Sequence, residues 1–243
     1  MAGLPRIVVA SGNRKKAREI VELLSLGPSS PALGNGDVST LADFPDAPPI
    51  AETGDSFVEN AMLKAGGISS FLRDRRKLRG VLVVADDSGL EVPALANRPG
   101  IWSARFALRA VEEGLVGPEF RERYAANPDE ANIDALLLLL EGRSEAERTA
   151  RFISEVVLAL DGDVLCVFHG ACEGRIAPGR AGGHGFGYDP VFFYPPFGQT
   201  FGQVAPARKH TISHRRAALE GARPALLQLL AGVAPKRLSP APL

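Results

Sequence analysis

Two neighbouring carboxylates, Asp86 and Asp87, stand in "VVADDSGLEV" directly after an apolar run, where a folded chain has little room for charge. Adjacent carboxylates repel, which raises the proton affinity of one of them unless a cation sits between or beside them. Magnesium meets that need, since it takes oxygens from one or two carboxylates and completes its shell with substrate phosphates. Ser88 follows, placed to donate a hydrogen bond to a phosphate oxygen. A further acid, Glu52, lies ahead of a segment that carries Lys64. In "ASGNRKK" the small residues Ser11, Gly12 and Asn13 lead into Arg14, Lys15 and Lys16. Cations at a helix start oppose its dipole. A bound phosphate removes that penalty and is suited to a turn with exposed backbone N–H groups.

Two more segments carry chemistry. "GGHGFGYDP" (182–190) crowds glycines around Phe186 and Tyr188, which permits backbone and ring to approach a flat ligand closely. "RKHTISHRR" (208–216) gathers Lys209, His210, His214, Arg215 and Arg216. Each segment also has a plain structural reading: a polar turn, a solvated loop acid, aromatic core packing or a solvated basic helix start. The glycine pattern is not a dinucleotide fingerprint, because no helix follows it.

The elements that must position these residues follow from periodicity. "RIVVAS" (6–11) predicts a strand, and the apolar spacing of Ala17, Ile20, Val21 and Leu24 predicts a helix after a tight loop. The Pro- and Gly-rich stretch 27–49 predicts a loop with a short strand near Val38–Leu41. "SFVE" predicts a capping box between Ser56 and Glu59 at the start of a helix that presents Asn60 and Lys64 on its flank. "GVLVVA" (80–85) predicts a buried strand that ends at the acidic pair, where α/β sheets open toward ligands. The stretch from Glu112 to Gly142 predicts mainly helix, its Leu-rich part starting at Asn132 or Asp134. "ARFISEVVLAL" and "DVLCVFHGACEGRIA" predict an antiparallel hairpin turning at Asp161-Gly162-Asp163, "PVFFY" a further strand, and the last helix meets Pro224 as a kink or restart. Crossover and hairpin strands mixed with helices predict an α/β protein with a mixed β-sheet.

Composition bounds the function. The 28 basic residues balance 28 acidic ones, so no net field draws the chain to nucleic acid polymers or anionic membranes. Apolar runs fall far short of a membrane span, and no leader pattern opens the chain, which predicts a cytoplasmic protein. Cys166 and Cys172 are too few for a disulfide framework.

Taken in order, "SGNRKK", "ETGDSFVENAMLKA", "ADDSGLEV", "PGIWSAR", "GFGYDPVFF" and "KHTISHRRAAL" resemble the inosine/xanthosine triphosphate pyrophosphatases, over about residues 7–219. The resemblance implies an elongated mixed β-sheet with flanking helices and two lobes around a central substrate cleft, one domain over residues 1–235; the Pro-rich end of the chain, 236–243, predicts a disordered tail particular to this chain. It implies a homodimer and Mg²⁺-dependent hydrolysis of ITP, dITP and XTP to monophosphate and pyrophosphate. By motif, Ser11, Gly12, Asn13 and Lys16 match the triphosphate cradle, and Lys64 a second phosphate-facing lysine. Asp87 matches the catalytic acid and metal ligand, supported by Asp86 and by Glu52 as another acidic metal contact. Ser88 matches a substrate contact. Phe186, Gly187, Tyr188 and Asp189 match the segment that holds the nucleoside, and Lys209, His214 and Arg215 match residues that read the base. The chain departs from the pattern at Ala51, where relatives often carry a second acid, and at Pro93 and Trp102. Two other classes stay open: a non-catalytic nucleotide-binding regulator, and a magnesium phosphohydrolase that releases single phosphates.

Overall fold

The structure, a computed structural model, describes residues 6–25 and 36–232. The expected tail 236–243 and the loop portion 27–35 lie outside the described residues. In chain order the elements are β1 (Ile7–Val9), α1 (Arg14–Ser25), β2 (Val38–Thr40), α2 (Phe57–Asp74), β3 (Leu82–Val92) and β4 (Arg98–Pro99). Three helices follow, α3 (Phe106–Glu112), α4 (Phe120–Ala126) and α5 (Pro128–Leu139). Then come β5 (Thr149–Leu160), β6 (Asp163–Ile176), β7 (Phe192–Tyr194), β8 (Gln199–Thr200), α6 (Pro206–Lys209) and α7 (His214–Leu230). The strands form an open mixed sheet in the order β2-β1-β3-β5-β6-β7-β8, with β4 beside β3. β1 is parallel to β2 and β3, whereas β3/β4, β6/β7 and β7/β8 are antiparallel.

The chain divides into two compact units. Unit 1 takes the residues up to Asp87, Ser154–Gly170 and those from Arg215 on; unit 2 takes Ser88–Ile153 and Ala171–His214. In unit 1 the strand period of two sorts side chains onto two faces. Ile7, Val9, Leu82, Val84, Val156 and Leu158 pack with Ala17, Ile20, Leu23 and Leu24 of α1 and Ala218, Leu219, Ala222 and Leu226 of α7. Val8, Ala10, Val83, Ala85, Val157 and Ala159 pack with Ala61, Ala65, Ile68 and Leu72 of α2. Unit 2 has its own core, in which Leu90, Val92, Phe106, Phe120, Ile133, Leu136, Phe192 and Phe201 are buried together.

Several expectations are met by these elements: β1, α1, the short β2, β7, and the turn between β5 and β6, where Asp161 (φ +49°) and Gly162 (φ +91°) both take positive φ. Others are corrected. β3 does not stop at the acidic pair but runs through it to Val92. The Leu-rich helix starts earlier than Asn132 or Asp134, because Asn127 caps it by accepting the N–H of Glu130 and Pro128 occupies the first turn. Asn132 instead lies buried inside α5, accepting the Ala107 N–H at 2.9 Å and donating to Ala104 O at 3.0 Å. The box at α2 is half formed: Ser56 accepts the Glu59 N–H at 3.2 Å, but Glu59 Oε2 accepts from Asp55 N, one residue beyond the cap. α7 continues through Pro224, which sits on the exposed face.

Candidate functional site

The acidic pair is explained by the strand that carries it. Because β3 continues past Ala85, Asp86 falls on the face of Leu82 and Val84, and Asp87 on the face of Val83 and Ala85. The two carboxylates therefore take different hydrogen-bond partners, while the charges of Lys16 and Lys64 act on both. β1, the parallel neighbour, pairs only as far as Val9↔Val84, with Ala10 N bonding Val84 O at 2.8 Å. The acids thus lie just past the carboxyl end of β1, where the loop Ser11-Gly12-Asn13 departs, and this is the usual ligand side of a parallel sheet.

On the α1/α7 face Asp86 is buried among cations. Its Oδ1 accepts from Ser154 Oγ at 2.6 Å, its Oδ2 faces Arg215 Nε at 3.3 Å, and Lys16 Nζ lies 3.8 Å away. Arg215 also donates through Nη1 to Glu19 Oε2 at 2.7 Å. Burial opposes the charge on Asp86, but Arg215, Lys16, the Ser154 hydroxyl and Lys64 outweigh it, and the carboxyl stays below its ordinary range. On the α2 face Asp87 Oδ1 accepts from Lys64 Nζ at 2.7 Å, and Glu52 Oε1 is 3.7 Å from the same ammonium. Burial pushes the Asp87 carboxyl up, with Glu52 adding to the rise and Lys64 and Lys16 opposing it. Burial lowers Lys16, the nearby acids holding it back. Asn60, expected on the flank of α2 beside Lys64, is buried and bonds both Gly54 N (2.9 Å) and Gly54 O (3.3 Å). It ties the segment carrying Glu52 to the helix carrying Lys64.

The loop before α1 is partly closed on itself. Asn13 Oδ1 accepts from Lys15 N at 2.9 Å and Lys16 N at 3.1 Å, so it caps the start of α1. Ser11 is buried, with Oγ 3.4 Å from Asn13 O, while Arg14 and Lys15 are exposed. Gly12 borders open space, since a Cβ there meets no atom within 4 Å.

In unit 2 the glycine-rich segment folds around Asp189. Phe186 N donates to Asp189 Oδ2 at 2.9 Å, Lys209 Nζ donates to the same oxygen at 2.7 Å, and Gly187 N reaches Asp129 Oδ2 at 3.3 Å. Lys209 Nζ stands 5.3 Å from the centre of the half-buried Phe186 ring. Tyr188 is a core residue: it is buried, its hydroxyl donates to Ser103 O at 2.9 Å, and burial raises its phenol well above the usual range. Phe186 is the less buried of the two rings. His214 is buried and stacks on Phe152, ring centres 4.8 Å apart. Ser88, the first residue of unit 2 along β3, is also buried.

With this geometry in hand, the chain matches the Ham1 family over residues 7–225. It belongs to that family. It is 42% identical over 216 residues to a dITP/XTP pyrophosphatase from Geobacillus kaustophilus, covering 89% of this chain and 91% of the relative. It is 41% identical over 201 residues to a dITP/XTP pyrophosphatase from Shouchella clausii, covering 82% and 87%. A HAM1 protein from Coxiella burnetii, of known structure, superposes with a TM-score of 0.70 at 32% identity, covering 93% of this chain and all of the other.

Within this Ham1 chain, the residues named from sequence separate into three groups. Asp87, Lys64 and Glu52 stand together on one face of unit 1; Lys16, Asp86 and Arg215 on the other; Phe186, Asp189 and Lys209 in unit 2. Arg215, which the resemblance places among the base-reading residues, bonds the carboxylates of Asp86 and Glu19 within unit 1. Three participants carry no sequence signal of their own: Glu19 on an otherwise ordinary amphipathic helix, Ser154 in an apolar strand, and Asp129 in the first turn of α5.

The unit 1 side chains also test the fit of a divalent cation. Among the described residues no group of three or more His, Cys, Asp or Glu has the arrangement of a protein-only metal cage. Magnesium needs none when a polyphosphate supplies the remaining oxygens. Asp87 and Glu52 already converge within 4.0 Å of one positive charge, the Lys64 ammonium, so their oxygens suit a shared cation. Asp86 suits it less, because Ser154 and Arg215 already donate to its two oxygens.

Proposed function

We propose that this chain hydrolyses non-standard purine nucleoside triphosphates (ITP, dITP and XTP) to the monophosphate and pyrophosphate, removing them from the nucleotide pool. The observation that carries this reading is the sorting of Asp86 and Asp87 onto opposite faces of β3: one acid holds cations in place, and the other stands beside Lys64 and Glu52. Mg²⁺, held by Asp87 and Glu52, would neutralise charge on the triphosphate oxygens. Lys16 and Lys64 supply positive charge where it builds up on the leaving pyrophosphate. Asp87 orients the metal and the attacking water; an aspartate is too weak a base at neutral pH to take the water's proton unaided.

Recognition of the base is assigned to unit 2 on its chemistry. Phe186 offers a ring to stack on, and the Lys209–Asp189 pair offers one donor and one acceptor. Hypoxanthine and xanthine present the complement, a 6-keto oxygen and an N1–H, whereas adenine presents an amino group and a bare N1. A homodimer and a cytoplasmic location belong to the same proposal. They are supported by the resemblance and, for the second, by the fact that no described helix is long and apolar enough to cross a membrane.

The test is a panel of ITP, dITP, XTP, GTP and ATP with Mg²⁺, the products separated by anion exchange. Monophosphate and pyrophosphate from the first three, with ATP at least about tenfold slower, is the expected result. Orthophosphate points instead to a different phosphohydrolase, and binding without turnover to a regulator.

A further inference from the structure

We propose that Ser154 is a positioning residue: its hydroxyl fixes the plane of the Asp86 carboxylate and, through it, the place of the Lys16 ammonium. The proposal rests on the nucleotide-hydrolysing reading above. Ser154 is fully buried in β5, the neighbour of β3 in the sheet, and shares its strand face with Val156 and Leu158. That face is the one packed by α1 and α7, on which Asp86 also lies. A hydroxyl there has little packing value over a methyl group.

What it does have is a bond of 2.6 Å to Asp86 Oδ1. The terminal torsion of an aspartate is broad, so the carboxylate plane turns easily unless something holds it. Arg215 favours one outcome, since a guanidinium prefers to grip both carboxylate oxygens side by side. With Ser154 holding Oδ1, Oδ2 faces Arg215 Nε (3.3 Å) and lies 3.8 Å from Lys16 Nζ. Arg215 is meanwhile held from its other side by Glu19. Ser154 thus keeps Asp86 shared between two cations when the arginine alone would take it, and Lys16 keeps its counter-charge where the phosphate-facing loop begins.

The experiment compares Ser154→Ala and Ser154→Cys in the wild-type and in a Lys16→Ala background, reading kcat and KM for ITP and, by calorimetry without metal, the Kd of inorganic pyrophosphate. A thiol keeps the volume but is a weak donor. The loss of a charge-assisted hydrogen bond corresponds to about a tenfold fall in kcat/KM for both variants, with pyrophosphate binding weakened alongside. In the Lys16→Ala background the same substitutions should change either quantity less than about twofold, because residues acting through one another are non-additive. Wild-type values for both variants overturn the proposal, and so does an undiminished loss in the Lys16→Ala background, which would mark Ser154 as structural. If the alanine variant does not fold, the cysteine variant is read alone by the same criteria. If wild-type enzyme fails to turn over ITP, the functional reading falls, and pyrophosphate binding still decides the role of Ser154.

Discussion

The charged group of unit 1 and the glycine-rich loop of unit 2 are held in opposite ways. In unit 1, Arg215 reaches Asp86 across 129 residues and Glu19 across 196, and Ser154 reaches Asp86 across 68. The alternation of β3 and the packing of α1 and α7 bring these distant side chains together. In unit 2, Asp189 receives the N–H of Phe186 three residues back and the ammonium of Lys209 twenty residues on. That arrangement is a turn locked by one carboxylate. The first group should therefore respond to substitution through folding as well as chemistry, and the second chiefly through the loop itself.

The sharpest separation lies within unit 1, between two residues adjacent in sequence. Asp87→Asn should cut ITP turnover on the order of a thousandfold while leaving the thermal midpoint nearly unchanged, because burial already works against the charge on Asp87. Asp86→Asn should instead cost about 3–5 kcal/mol of stability, since it takes from Arg215 and Lys16 the buried carboxylate they share. The stability given by Asp86 is present above the ordinary aspartate range and is lost as pH falls below it, because its folded carboxyl is held down. Thermal unfolding and steady-state kinetics of the two variants check this. Equal loss of stability in both would break the assignment of the acids to opposite faces.

A smaller effect is expected in unit 2. Lys209→Ala should raise KM for ITP about tenfold to a hundredfold, as removal of a charged hydrogen bond predicts, with a lesser change in kcat. Should kcat fall and KM stay constant, Lys209 would belong with the chemistry and not with recognition.

The parts of this molecule that were legible in the sequence are those decided by near neighbours. The turn at Asp161-Gly162 carries its own backbone signature, α1 and α2 show their apolar faces, and Lys64 stands on a helix whose capping serine is visible. The extent of β3 was not legible, since its apolar run is interrupted after Ala85 by two acids whose burial rests on distant partners. Glu19 carries no signal in its helix, and Arg215, far along the chain, helps to make its burial tolerable. Tyr188 shared the signal of Phe186, one beside the other among glycines, and the core of unit 2 claimed the tyrosine.

The local lock in unit 2 can be sharpened by Gly185→Ala. Gly185 has φ +77°, and an added Cβ would collide with the carboxylate of Asp189, which itself holds Phe186 and Lys209. Backbone strain alone is worth about 1–3 kcal/mol. The variant should lose stability in that range and show a raised KM for ITP. An unchanged Asp87→Asn phenotype in the same background would keep the effect confined to the loop.

The mildest expected effect returns to unit 1. Glu155 is buried in β5 and its carboxyl lies above the ordinary range, because burial disfavours its charge and Asp86 repels it, while His169 Nδ1, 2.6 Å from Oε1, opposes the rise. A carboxyl raised on folding binds its proton more tightly in the native state. Stability is then fully present below the unfolded pKa and declines as pH climbs through the folded one. Glu155→Gln keeps a side-chain oxygen that can accept from His169 but removes the charge, so it should leave the thermal midpoint near wild type at pH 4 and raise it at pH 8. Because Asp86 feels one less negative neighbour, kcat for ITP should move less than about twofold, well below the effect of changing a side chain that touches Asp86 directly. A midpoint lowered at both pH values would mean that the charged Glu155–His169 pair stabilises this edge of the unit, and that the carboxylates of unit 1 are not all arranged around Asp86.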